Sequence, residues 1–164
     1  MPLLKVLTNK FINPFKSILF QCYYSHKKLS GSINSKKREH HIVVSLTSFP
    51  ARFKFLHYSI KSIMNQSLKP DVILLVLTKE EIKDESELPS SVLNLKKHGL
   101  KIFFADSNLK PHNKYLYAMR LYPESLLITV DDDNIYDKNL IQDLYKSFLK
   151  YPASVSAKRV HKIA

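Results

Sequence analysis

Four short apolar runs separated by helical patterns constrain the fold of this chain more than any other feature of its sequence. The runs are rich in Val, Ile, Leu and Phe, and they cover residues 41–47, 72–77, 100–104 and 126–130. Each run predicts a buried strand. Between and after these runs, apolar spacing or start and stop signals predict helices around 53–64 and over 89–98, 113–122 and 138–149. Asp137 is the predicted N-cap of the last helix. Apolar strands that alternate with helices are typical of α/β proteins, so we predict a mostly parallel sheet flanked by helices on both faces.

The positive charge of the chain is concentrated at its N-terminus. The 26 Lys and Arg residues outnumber the 14 Asp and Glu residues and give a net charge of +12. Residues 1–40 hold eight basic residues and one acid, so they account for +7 of that charge. A strongly basic chain suggests nucleic acid or an anionic membrane as its partner. Because most of the excess charge lies outside the strand–helix region and no nucleic-acid motif is present, we expect no nucleic-acid partner.

Residues 1–25 carry apolar side chains at helical spacing with lysines between them. No apolar run there approaches the ~20 residues of a membrane span. The pattern predicts a basic amphipathic segment that makes peripheral contact with an anionic membrane surface. An accessory helix on the body of the protein, or an unstructured tail, is the alternative. With the polar linker that follows, this segment forms a predicted N-terminal extension over residues 1–40, ahead of an α/β domain over residues 41–164.

The sequence excludes several common site types. Its two glycines, Gly31 and Gly99, belong to neither a dinucleotide-binding G-x-G-x-x-G loop nor a Walker A loop. The single Cys22 forms no internal disulfide, Cys-x-x-Cys redox pair or cysteine zinc site.

Three consecutive carboxylates, Asp131, Asp132 and Asp133, follow the fourth predicted strand directly. Ligands of open α/β sheets bind beyond the carboxyl ends of the strands. In extended backbone Asp131 and Asp133 share one side and Asp132 takes the other. Carboxylates held that close repel, which favours a cation between them, and oxygen ligands suit Mg²⁺ or Mn²⁺. Two other interpretations stay open: a solvated acidic turn, and a Mg²⁺-dependent phosphohydrolase with Asp131 as nucleophile.

Four segments, read in order, resemble GT-A-type glycosyltransferases of the family 2-like kind found in bacterial surface-polysaccharide pathways. They are IVVSLTSFPARF (42–53), SIKSIMNQSLKPDVILL (59–75), PHNKYLYA (111–118) and VDDDNIY (130–136). Within the second, S-I-x-N-Q-S-x-x-P at 62–70 closely resembles a recurrent pattern of that family. The resemblance implies a GT-A-like fold that binds a nucleotide-diphospho sugar and is incomplete at the C-terminus, after the D-x-D half.

The resemblance also implies roles for individual residues. The nucleotide loop after the first strand would consist of Thr47, Ser48, Phe49 and Pro50. Arg52 would meet phosphate or ribose, Asp106 the edge of the base, and Lys114 the diphosphate. Asp131 and Asp133 would hold Mn²⁺ or Mg²⁺, while Asp132 would contact the ribose or the sugar.

The implied activity is sugar transfer from a nucleotide-diphospho sugar, with UDP favoured, to a polysaccharide or lipid-linked acceptor. The family's catalytic base lies downstream of the D-x-D, so no residue of this chain is assigned to that role and turnover stays an open question. A non-catalytic binding remnant or a membrane-surface interaction protein is the alternative. We expect a cytoplasmic location, with peripheral contact to the inner face of the cytoplasmic membrane.

Overall fold

The computed structural model describes residues 33–158, which form a four-stranded, all-parallel sheet flanked by helices. The strand order is β3-β2-β1-β4. The strands are β1 (Ile42–Thr47), β2 (Val72–Thr78), β3 (Leu100–Ala105) and β4 (Leu126–Thr129). The helices are α1 (Phe53–Met64), α2 (Ser90–Leu93), α3 (Asn113–Leu121) and α4 (Leu140–Lys150). The predicted α/β class and parallel sheet are therefore confirmed.

Helices cover the two faces of the sheet unequally. One face packs against α1, α2 and α4 and forms the larger core, in which Leu56, Ile60 and Ile63 of α1 are fully buried. The opposite face packs against α3, with Ala118 in contact with the smaller cluster. Strand side chains alternate between these two cores, which explains why the strands are apolar along nearly their whole length.

The predicted strands agree with the observed ones to within one residue at each end. Two helix predictions were wrong in detail. The interval 89–98 holds only the single turn of α2 and a separate 3-10 turn, Lys96–His98, before Gly99 at φ 101°. Val92 and Leu95 are buried, but no apolar residue one turn further on extends that face, so packing supports only short turns. Asp137 is not the cap of α4: its side chain accepts from the Asn139 N–H, and Asn139 is the N-cap residue.

Asp71 fastens the segment before β1 to the N-terminal end of the sheet. Its carboxylate, with its side chain 11% exposed, accepts from Asn34 Nδ2 at 2.6 Å and from the Ile42 N–H at 2.7 Å. It also forms an ion pair with Arg38 at 3.0 Å. The described part of the predicted linker, from residue 33, is thus held against the sheet. The remaining residues of the predicted extension, including the amphipathic segment 1–25, lie outside the described residues.

A membrane-spanning helix must be both long and apolar. In the part of the chain that the structure describes, no helix combines the length and the apolar character that a membrane span requires.

Candidate functional site

A pocket opens at the carboxyl ends of β1 and β4, where the strand order reverses. The chain moves from β1 outward through β2 to β3, and then returns to place β4 on the other side of β1. Parallel sheets leave a crevice at such a switch point, because successive loops lead away from it in opposite directions. The pocket has a volume of about 250 Å³ and is lined by Thr47, Ser48, Phe49, Arg52, Glu81, Asn108, Lys110, Pro111, Asn113, Lys114, Val130, Asp131 and Asp132.

The residues after β1 form one side of this pocket. The Thr47 hydroxyl donates to the carbonyl of Val76 at 2.8 Å, which ties the end of β1 to β2. Phe49 is 41% exposed although it is a large apolar residue, and the Arg52 guanidinium lies 5.1 Å from the centre of its ring. Pro50 starts the 3-10 turn Pro50–Arg52 and is not among the residues that line the pocket.

The three carboxylates after β4 differ in their exposure to solvent. Asp132 is buried, at 5% exposure, while the side chains of Asp131 and Asp133 are more than half exposed. The predicted extended backbone does not continue through these residues: Asp132 and Asp133 form a turn, and the Arg52 guanidinium contacts both of these neighbouring carboxylates. Asp131 and Asp132 line the pocket, whereas Asp133 does not.

Side-chain cations neutralise these carboxylates. Lys114 Nζ lies 2.6 Å from Asp131 Oδ1. Arg52 Nη1 lies 2.8 Å from Asp132 Oδ1 and 3.0 Å from Asp133 Oδ2. The hydrogen bond and the charge of Asp132 raise the pKa of Arg52 above its already high value, so this guanidinium stays charged. The repulsion among neighbouring acids is therefore met by Arg52 and Lys114, two residues from other parts of the chain.

Ser48 and Asp132 link the ends of β1 and β4 directly. The Ser48 hydroxyl, almost fully buried, donates to Asp132 Oδ2 at 2.6 Å. Asp132 Oδ1 accepts from Arg52, so each oxygen of this buried carboxylate has a partner. A buried charge without partners would strongly destabilise the fold. The two strands on either side of the switch point are thus joined by a short polar bridge.

Loops that follow β2 and β3 form the opposite side of the pocket. Glu81 accepts from Thr78 Oγ1 at 3.2 Å and from Asn108 Nδ2 at 2.9 Å. Asn113, which is buried, accepts from the Leu109 N–H and donates to Asn108 Oδ1. Sequence reasoning missed Glu81, Asn108 and Asn113, because their convergence depends on contacts between different loops.

Asp106, the residue predicted to meet the base, is not among the residues that line the pocket. Its side chain is 86% exposed and forms an ion pair with Lys79 at 2.6 Å. The predicted residues Thr47, Ser48, Phe49, Arg52, Lys114, Asp131 and Asp132 do line the pocket together.

Three buried polar residues, which we call the polar seam, hold the acidic loop, residues 131–139: Ser59 and Ser62 of α1, and Gln66, which lies two residues beyond the end of that helix. Ser59 Oγ donates to the carbonyl of Asp131 at 3.0 Å, and the Tyr136 N–H donates to Ser62 Oγ at 3.1 Å. Gln66 Nε2 donates to the carbonyl of Asp137 at 2.6 Å. Ser59 and Ser62 are three residues apart, which places both side chains on a single face of α1. Gln66 is tied to the end of that helix by a second hydrogen bond from its Nε2, to the carbonyl of Ser62 at 3.2 Å.

Gln66 also fixes the start of the next helix. Its Oε1 accepts from the Ile141 N–H at 3.1 Å, so one buried amide joins α1, the acidic loop and α4. Buried polar groups stabilise a fold only when they are satisfied, and the side-chain amide of Gln66 meets that condition with both of its ends.

The side chains of this region would supply only part of a metal coordination shell. Among residues 33–158, no three His, Cys, Asp or Glu side chains come close enough to hold an ion. Asp131 and Asp133 supply exposed carboxylate oxygens of the kind that Mg²⁺ and Mn²⁺ prefer. Magnesium sites of this kind commonly take their remaining ligands from water and from substrate phosphates. A Mg²⁺ or Mn²⁺ ion at Asp131 and Asp133 therefore stays a prediction.

Gln66→Ala is expected to destabilise the folded protein by about 2–4 kcal/mol, because it removes buried hydrogen bonds and leaves Asp137 and Ile141 backbone groups without partners. Urea unfolding followed by circular dichroism measures this change. Gln142→Ala is the matched control: Gln142 is partly exposed and has a single long contact with Ser67 at 3.4 Å, so we expect a loss below about 0.5 kcal/mol. Equal losses in the two variants would contradict the role given to the polar seam.

Tyr136 makes stability depend on pH in the alkaline range. Burial raises the pKa of its phenol to about 12, from an ordinary value of 10.0. The folded protein therefore keeps this proton in a pH range where the unfolded chain releases it, and stability falls as pH rises from about 10 towards 12. We expect the difference in unfolding free energy between the wild type and Tyr136→Phe to shrink across that window. A difference that stays constant from pH 8 to pH 11.5 would contradict this assignment.

Comparison with known proteins assigns no family. No family model matches the chain, and no curated protein matches it significantly. The resemblance to glycosyltransferases therefore rests on the four sequence segments alone.

Proposed function

We propose that this chain binds a nucleotide-diphospho sugar in the pocket at the strand switch point, as the donor-binding part of a GT-A-like glycosyltransferase. One observation carries the proposal: Ser48 and Arg52, from the loop after β1, both hydrogen-bond to Asp132 at the end of β4. The two segments that resemble the nucleotide loop and the D-x-D of the family are thus in contact, although 84 residues separate Ser48 from Asp132.

The diphosphate of such a ligand requires positive charge. Arg52 and Lys114 line the pocket and belong to different elements, so they reach it from two sides. Arg52 offers a planar fork suited to phosphate oxygens, whereas Lys114 acts as a point charge. In the proposed complex both cations move part of their contact from the carboxylates to the phosphates.

The base and the ribose are assigned by exposure and hydrogen-bonding capacity. The exposed ring of Phe49 offers a flat apolar surface for a base. Glu81, which lines the pocket, replaces Asp106 as our candidate for the edge of the base, because a carboxylate accepts the N–H groups that uracil and guanine present. Asp132 is our candidate for a ribose or sugar hydroxyl.

A Mg²⁺ or Mn²⁺ ion at Asp131 and Asp133 would neutralise negative charge that develops on the leaving nucleoside diphosphate. Asp131 also lines the pocket, which supports its position beside the phosphates. The ion pairs that now involve Lys114 and Arg52 would loosen as these carboxylates turn to the ion.

The acceptor and the cellular setting belong to the same proposal. A polysaccharide or lipid-linked acceptor is supported by the resemblance, and a cytoplasmic position at the membrane surface by the basic, amphipathic sequence of residues 1–25. We assign no catalytic base, so donor binding, rather than turnover, is the part of this proposal that the pocket residues support.

Calorimetric titration of UDP and GDP into the full chain, with and without Mn²⁺, tests this proposal. We expect metal-dependent binding of at least one nucleotide, weakened about tenfold or more in Asp131→Asn through the loss of a charged ligand. Asp106→Asn is the matched control and should bind as the wild type does, because Asp106 lies outside the pocket.

Two results would contradict the proposal. One is the absence of nucleotide binding in a folded sample. The other is phosphate release from a generic phosphomonoester that Asp131→Asn abolishes, which would favour the phosphohydrolase interpretation instead.

A further inference from the structure

Lys110 is the one residue besides glycine that has a positive φ in the described part of the chain. Its φ is 57°, in the left-handed region that side chains rarely adopt. It begins the 3-10 turn Lys110–His112 ahead of α3, and it lines the same pocket as Arg52 and Lys114. Residues held in such conformations cluster at binding sites, where the surrounding structure enforces them.

The surrounding hydrogen bonds do enforce this conformation. Asn108 Oδ1 accepts from the Lys110 N–H at 2.9 Å, and Asn113 Oδ1 accepts from the Leu109 N–H at 2.9 Å. The Asn108 N–H in turn donates to Glu80 Oε1 at 2.9 Å. The backbone of this loop is therefore fixed by side chains from the loop after β2 and from α3, and Lys110 is held at the pocket in advance of any ligand.

Lys110 differs from the other two cations of the pocket in its partners. Lys114 pairs with Asp131, and Arg52 pairs with Asp132 and Asp133. Among residues 33–158, Lys110 forms no ion pair within 4.0 Å, and the remaining acid of the pocket, Glu81, bonds to Thr78 and Asn108. An anion can therefore bind the Lys110 ammonium without breaking an existing ion pair.

We propose that Lys110 is a binding residue for the diphosphate of the nucleotide ligand, and that its strained backbone is retained because it keeps this ammonium at the pocket. This inference rests on the proposed function and adds to it a residue that neither the acidic loop nor the resemblance to the family indicates. It implies that the diphosphate meets Lys110 first, while Arg52 and Lys114 still hold their carboxylates.

Substitution at residue 110 separates strain from charge. Glycine adopts a positive φ without penalty, and asparagine tolerates it better than other residues with side chains. We therefore expect Lys110→Gly and Lys110→Asn to unfold in urea at the same midpoint as the wild type or a higher one. Both variants should bind UDP about tenfold more weakly, because a charge-assisted hydrogen bond to phosphate is lost. Lys110→Arg should keep most of the affinity.

Uridine, which has no phosphate, shows whether the contact is to the diphosphate. We expect the same uridine affinity in the wild type and in Lys110→Asn, and a UDP difference that shrinks at high salt. Lys79→Ala serves as the control for a cation outside the pocket and should leave UDP affinity unchanged.

The outcomes distinguish this inference from the proposed function. Unchanged UDP affinity in Lys110→Gly and Lys110→Asn, with a wild type that binds UDP, would overturn the role of Lys110 and leave the proposed function standing. An equal loss for UDP and uridine would also overturn it, because the contact would then not be to phosphate. A wild type that binds neither UDP nor GDP would overturn both.

Discussion

Three consecutive carboxylates at the end of a buried strand repel one another, and the arrangement of the pocket follows from that repulsion. The chain turns at Asp132 and Asp133, with Asp132 buried and the side chains of Asp131 and Asp133 more than half exposed. The buried acid then requires both the Ser48 hydroxyl and the Arg52 guanidinium. Because these two residues follow β1, their hydrogen bonds to Asp132 also join the two strands that flank the switch point.

Neutralisation of the carboxylates alone would not fix the backbone of the acidic loop, and the polar seam supplies that restraint. Ser59, Ser62 and Gln66 bond mainly to backbone groups of the loop and of the start of α4, not to its carboxylates. The exposed carboxylates of Asp131 and Asp133 can therefore exchange their cation partners while the backbone that carries them stays in place. At the other end of the sheet, Asp71 holds the segment before β1. Polar side chains therefore hold flanking segments at both ends of the strands.

Much of the fold was predictable because its signals are local. The apolar runs that became β1 to β4, and the apolar stripe of α1, depend on neighbouring residues along the chain. The turn at Asp132 and Asp133 was not predicted, because the expected alternation of the three acids assumed extended backbone. Gln66 was not predictable in its role, since its partners Asp137 and Ile141 lie 71 and 75 residues away. The same reason explains why Asp106 was predicted and Glu81 was not. Order along the chain suggested Asp106, whereas the packing of two loops brings Glu81 into the pocket.

The central claim is that the pocket between the ends of β1 and β4 binds a nucleoside diphosphate. Amide chemical-shift mapping by NMR, with UDP and Mg²⁺ added to ¹⁵N-labelled protein, tests it most directly. The account predicts that the largest changes fall on Ser48 to Arg52, on Glu81, on Asn108 to Lys114 and on the three carboxylates, while Asn34 and Asp71 at the opposite end of the sheet stay unchanged. Changes centred on the Asp71 end, or none at saturating UDP, would contradict it.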